Sequence, residues 1–201
     1  MRKLKTALVT AAAAALLTAG VTMADMPKLG GAPAAPTGDI SVSVLANTAK
    51  GYALGYPAGW QVVSSADVDY LFIKPDATAL CAAFSGDIPD IAGIPEADLK
   101  AMLSVPLGEE FWDNVLFSSL PNKKYEHVGA DPNHPGGWPV QTAIAAGDFA
   151  FEAGPVPAKI AAIMTFKAGK GYQVFCAGKS QAYEALKPEL AAIFNSFKIL
   201  N

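Results

Sequence analysis

Arginine is almost missing from this chain. Arg2 is the only one in 201 residues. Arginine supplies the rigid fork that binds phosphates and carboxylates in bidentate fashion. Its absence from the body of the chain, together with an acidic balance, argues against nucleic-acid binding and against attraction to anionic lipid head groups. Histidine is nearly as scarce, with only His127 and His134, so acid–base or metal chemistry has few residues to draw on. Cysteine is limited to Cys81 and Cys176, with no CxxC pair, which leaves a thioredoxin-like motif or a zinc knuckle unsupported. Charged residues make up 16% of the chain and hydrophobic ones 52%, a balance that excludes a disordered tail. No G-x-S-x-G elbow is present. Gly178-Lys179-Ser180 resembles the end of a phosphate loop, but the required upstream glycine is Gln173, and Ser180 reads better as a helix N-cap. No cofactor is expected.

The first residues supply what the rest lacks. Arg2, Lys3 and Lys5 precede an alanine-rich apolar run from Ala7 to about Val21, and Thr22-Met23-Ala24 offers small residues at −3 and −1 of a cleavage site. This is the order of a secretory signal, and the run is short for a membrane span. Residues 1–24 are therefore read as a signal peptide and the product as periplasmic or secreted, with no transmembrane helix after cleavage. Removing 24 of the 201 residues leaves 177, with 12 lysines against 18 acidic residues and a net charge of −6. Residues 25–38, DMPKLGGAPAAPTG, read as a flexible Pro/Gly/Ala linker. Residues 39–201 form one domain. In an oxidising compartment the even cysteine pair points to one disulfide, Cys81 to Cys176, the alternative being two buried thiols.

Period-two alternation in Ile40, Val42 and Val44 marks a first strand, followed by strands at Gly51–Tyr56, Trp60–Val63, Tyr70–Lys74 and Thr78–Phe84. The middle changes period. A short helix is expected from about Pro95 to Leu103 and another from Glu109 to Leu120, where Phe111/Val115 and Trp112/Leu116 are spaced four apart. Strands resume at Tyr125–Val128, Val140–Ala146, Lys159–Lys167 and Gly171–Ala177. A short helical turn from Ser180 should break at Pro188. A last helix then carries Leu190, Ile193, Phe194 and Phe197 as a buried stripe.

Two segments carry a resemblance. Gly51–Trp60 contains Tyr56-Pro57-Ala58-Gly59-Trp60, and the chain ends in Phe194-Asn195-Ser196-Phe197-Lys198. A strand running into Tyr-Pro-x-Gly-Trp, with a terminal helix closing in Ser-Phe-Lys, resembles the PsbP-like superfamily. That group includes the extrinsic protein of photosystem II, a Ran-binding nucleotide-release factor and bacterial envelope proteins. The resemblance implies an α+β fold, a central antiparallel sheet flanked by helices on both sides as an α/β/α sandwich, and the strand and helix order agrees with it. The photosystem and Ran roles do not transfer. The motif residues Tyr56, Pro57, Gly59, Trp60, Ser196 and Phe197 are structural in character: Pro57 for a turn, Gly59 for a tight approach, Trp60 as a core anchor.

The function expected is that of an exported, non-enzymatic envelope protein, a binding or accessory module for an envelope protein or a small apolar ligand. The Gly129–Pro139 loop is expected to be its contact surface with Trp138 as anchor, the rival reading being a packed tryptophan. The alternative is a small hydrolase or metal-dependent enzyme using His127, His134 and a nearby carboxylate, Glu126 or Asp131. Glu109, Glu110 and Asp113 form a carboxylate cluster, which ordinary helix N-terminal chemistry also explains. Mass spectrometry of the protein recovered from the envelope should give Asp25 as the first residue; a chain retaining Met1 would turn the leader into an anchor.

Overall fold

The computed structural model describes residues 40–63, 68–151 and 154–200. The expected signal peptide and linker lie outside the described residues. Among these residues ten strands form two antiparallel sheets. In chain order the strands are β1 Val42–Asn47, β2 Tyr52–Pro57, β3 Gln61–Val63, β4 Tyr70–Ile73, β5 Ala79–Asp87, β6 Lys124–Asp131, β7 Val140–Phe151, β8 Gly154–Lys167, β9 Lys170–Lys179 and β10 Lys198–Ile199. The small sheet has the order β1-β2-β10. The large one has the order β3-β4-β5-β9-β8-β7-β6. Between β5 and β6 lie a 3₁₀ turn Pro89–Ile91 and the helices α1 Glu96–Leu103 and α2 Glu109–Trp112. Helix α3, Tyr183–Ser196, precedes β10.

The large sheet is two meanders joined where β5 meets β9. Both joining strands are rich in small residues and buried over most of their length. Central β8 reads as a near-continuous apolar run from Ile160 to Phe166, because both of its faces are covered. On one face, Leu186 and Tyr183 of α3 press on Gly178, and the small sheet lies beside α3, with Tyr56 packed on Phe72 and Tyr52 on Tyr70 and Tyr172. On the opposite face, Phe111 of α2 packs edge-on to Phe166. Buried Gln141 there donates to Leu103 O and Val105 O and accepts from Leu107 N, satisfying backbone groups at the end of α1. The result is the α/β/α sandwich expected from the sequence. No described helix is long and apolar enough to cross a membrane.

Four local expectations give way. Strand β6 runs on to Asp131, so the connection to β7 shortens to 132–139. Strand β8 begins at Gly154, before Pro155 and Pro157. Ser180 N donates to Pro157 O, so the imino nitrogen of Pro157, on the same side, lies where β9 has ended and no partner strand needs its N–H. Helix α3 does not break at Pro188. That residue sits on the exposed side of a continuous helix, where water can take over the carbonyl its ring leaves unbonded. Ser180 is not the cap: Ala182 holds that position without a side-chain bond.

Cys81 and Cys176 stand directly opposite each other in the β5–β9 register and form a disulfide across 95 residues of chain. The bridge fastens the one pairing that unites the two meanders. Replacing both cysteines by alanine should lower unfolding stability by about 2–5 kcal/mol, the chain-entropy figure for so long a loop being roughly 4.7, as read from denaturant titration; a change of a few tenths would show that the β5–β9 pairing does not need it.

Candidate functional site

The two motif segments meet. Gly55 N donates to Ser196 Oγ at 2.7 Å, and Ser196 Oγ donates to Ile193 O at 2.6 Å. A Cβ on Gly55 would stand 2.6 Å from Val42 Cγ1 and 2.9 Å from Ser196. The tight approach therefore belongs to Gly55. Gly59, expected to provide it, has open space around it and instead takes φ +91° in the turn that Trp60 N closes onto Pro57 O. Trp60 Nε1 donates to Glu189 Oε2 of α3 at 2.6 Å, and Lys74 Nζ pairs with Glu189 Oε1 at 2.6 Å. Phe197 packs against Tyr52, Tyr172 and His134. Every motif residue thus serves to seat α3 and the small sheet.

Trp138 is not the exposed anchor expected. It is 6% exposed, and its Nε1 donates to Phe166 O at 3.0 Å. The Lys100 and Lys167 ammonium groups lie 4.6 and 4.9 Å from its ring. Thr165 Oγ1 donates to Pro139 O, so the loop is drawn flat against β8 and the indole turns inward. His134 is likewise structural: Nε2 lies 3.0 Å from Phe194 O, and Nδ1 accepts from Gly136 N at 3.1 Å, which assigns the proton to Nε2. His127 is exposed and paired with Thr142 Oγ1 at 3.0 Å. Among the described residues no three His, Cys, Asp or Glu side chains are grouped to hold a metal ion.

The carboxylate cluster is split. Glu109 and Glu110 start α2, while Asp113 accepts from Tyr125 Oη at 2.6 Å and pairs with Lys123. Burial works to raise the Asp113 pKa, but these two hydrogen bonds outweigh it, and the carboxyl is held below the usual range. The same contact, after burial, pushes the Tyr125 phenol up. This cluster ties the helical segment to β6.

The feature that sequence reading missed adjoins that segment. Helix α2 does not continue to Leu120; after Trp112 it widens into a π-helical stretch, Asp113–Phe117. Five-residue spacing stacks Phe117 beneath Trp112, with ring centroids 6.1 Å apart. Beside it opens a cavity of about 320 Å³ between the π stretch and the large sheet. Leu116, Phe117 and Leu120 form one wall, and Phe149, Ile160 and Phe175 the other. Ser119 and Asp148 are the polar residues at its edge, and Asp148 Oδ2 accepts from Asn122 Nδ2 at 2.6 Å. Next to these wall residues, among the described residues, are buried polar atoms without a hydrogen-bond partner, the Gln173 amide and Trp112 Nε1. Gln173 shares a sheet face with Phe175, and Trp112 packs on Phe117.

A buried Trp138 should be expensive to remove. Trp138→Ala is expected to cost about 3–5 kcal/mol of stability, measured by thermal or denaturant unfolding, and a loss below about 1 kcal/mol would restore the exposed-contact reading.

No family model and no curated protein matches the chain. Among solved structures it is similar to cyanobacterial PsbP (CyanoP) from Synechocystis sp. PCC 6803, at 16% identity and a TM-score of 0.54, over 84% of this chain and 98% of that one. It is also similar to the Ran-binding protein Mog1p from Saccharomyces cerevisiae, at 8% identity and a TM-score of 0.50, over 81% of this chain and 97% of that one. Identity this low speaks to architecture and leaves function to the residues of this chain. The chain has the PsbP-like fold that its Tyr-Pro-x-Gly-Trp and Ser-Phe-Lys segments pointed to.

Proposed function

We propose that this chain is an exported, non-enzymatic binding module that takes a small apolar ligand between its π-helical stretch and its large sheet. The observation that carries this reading is the cavity. Its volume of about 320 Å³ lies at the lower end of the range for small-molecule sites, which are mostly apolar with few polar groups. Its walls come from Leu116, Phe117, Leu120, Phe149, Ile160 and Phe175, with Ser119 at its rim to orient a polar end. The π stretch adds support, since such widenings occur often at functional sites. Export is supported by the leader of the sequence and by the Cys81–Cys176 disulfide, a bond that persists in oxidising compartments. The enzyme reading is disfavoured because it rests on two histidines, and His134 has both ring nitrogens engaged in holding its own loop.

Titration of the purified domain with an anilinonaphthalene-sulfonate dye tests the proposal. A saturable rise in fluorescence is expected, competed by medium-chain fatty acids. Ser119→Trp, at an exposed lining position, should weaken it about tenfold. Dye binding that is absent, or unaffected by Ser119→Trp, overturns the assignment of the site.

A further inference from the structure

Two sheets have four edges, and three of these are guarded. Strands β3 and β10 are three and two residues long. Strand β6 carries Lys124, Glu126, His127 and Asp131 and has a register irregularity between Tyr125 and His127. Short length, charge and bulges are the means by which proteins prevent edge-to-edge pairing. Strand β1 has none of them. It spans six residues, VSVLAN, in unbroken register with β2. From Ile40 to Ala49 the sequence contains no charge, no proline and no glycine. Val44 is 69% exposed and Val42 39%.

The hydrogen-bonding direction of β1 follows from its neighbours. Ser41 O accepts from Ala58 N, so in an antiparallel pair the odd residues Ser43, Leu45 and Asn47 face β2. Gly55, opposite Val44, correspondingly sends its N–H away from β1 to Ser196. The N–H and C=O groups of Val42, Val44 and Ala46 therefore point out of the free edge. That row is symmetric about Val44.

We propose that β1 is a self-pairing edge, through which two copies of this chain associate antiparallel about a two-fold axis at Val44. In this register Val44 faces Val44 of the second copy, and Val42 faces Ala46 of the second copy. Each of the three facing pairs exchanges two backbone hydrogen bonds, and the small sheets merge in the order β10-β2-β1-β1-β2-β10. Val42, Val44 and their counterparts form one apolar stripe across the join. A two-fold interface requires a self-complementary patch, and an uncharged strand lets an acidic domain meet its copy without like charges opposed. Residues 25–39, which lead into β1, hold Pro27, Pro33, Pro36, Gly30, Gly31, Gly38 and Asp39, all poor strand formers.

Analytical ultracentrifugation of the leaderless chain tests this, with a reversible monomer–dimer equilibrium expected. Val44→Lys places two ammonium groups opposite each other and should weaken self-association at least about tenfold, with an unchanged melting temperature under conditions where the protein is monomeric. In a separate variant, Val44→Cys should form an intermolecular disulfide on mild oxidation, because facing Cα atoms in a hydrogen-bonded antiparallel pair lie about 5.5 Å apart. A chain that stays monomeric and fails to cross-link through Val44→Cys overturns the proposal. So does a dimer untouched by Val44→Lys, which would place the interface elsewhere. Cross-linking of Val44→Cys to a different polypeptide in the envelope would also overturn it, giving the edge to a foreign strand.

Discussion

The C-terminal end of α3 is where the separate parts of this protein are tied together. Its last turn exposes carbonyls that a helix cannot satisfy by itself. Phe194 O takes the His134 imidazole, bringing in the loop between β6 and β7, and Ile193 O takes the Ser196 hydroxyl. Ser196 in turn accepts the Gly55 N–H, which β10 is too short to reach, so one side chain extends the small sheet past the end of its edge strand. The loop closes just as tightly: a Cβ on Gly136 would fall 2.2 Å from Phe197 O. Between Ile193 and Phe197, two hydrogen-bonded side chains and two glycine approaches fix the helix, the small sheet and the loop against each other.

That node explains why His134 and Trp138 are unavailable for the roles their residue types invite. A histidine and a tryptophan in a Gly/Pro-rich loop read equally well as ligand or as peg. What decides is where the loop lies, and that depends on Phe194 and Phe166, some sixty and twenty-eight residues away. No local pattern encodes such a contact. The motif residues were different. Their structural character was legible because Pro57, Trp60 and Phe197 have few other uses at those spacings. Even there the glycine roles were exchanged: Gly59 serves a positive φ, and Gly55 the close approach.

The fold itself was legible to a large extent. Nine of the ten described strands were located, β10 excepted, and the expected Cys81–Cys176 disulfide joins two of them, β5 and β9. Boundaries failed where tertiary context overrode a local breaker. Pro155 and Pro157 extend β8 because β9 has already ended beside them, and Pro188 stays within α3 because its side of the helix is wet. The π stretch failed for the opposite reason. The four-residue spacing of Phe111/Val115 and Trp112/Leu116 supports an ordinary α-helix, yet Phe117 is buried beneath Trp112, which only a wider turn permits.

The same widening accounts for the cavity. An α-helical turn would swing Phe117 about 140° around the axis from Trp112, and the wall it now forms with Leu116 and Leu120 would be built from other side chains. Gln141 and Gln173 show how unevenly the core beside it is satisfied. Both project from the same face of the large sheet, each opposite Met164 in its own register. Gln141 is fully engaged in closing α1, whereas Gln173 finds no partner, nor does Trp112 Nε1. An unpaired buried amide costs about 1–3 kcal/mol. A core selected for stability alone would favour an apolar residue at position 173. The side of the sandwich covered by α2 holds these unpartnered atoms, and it is also where the helix departs from regular geometry and the packing opens.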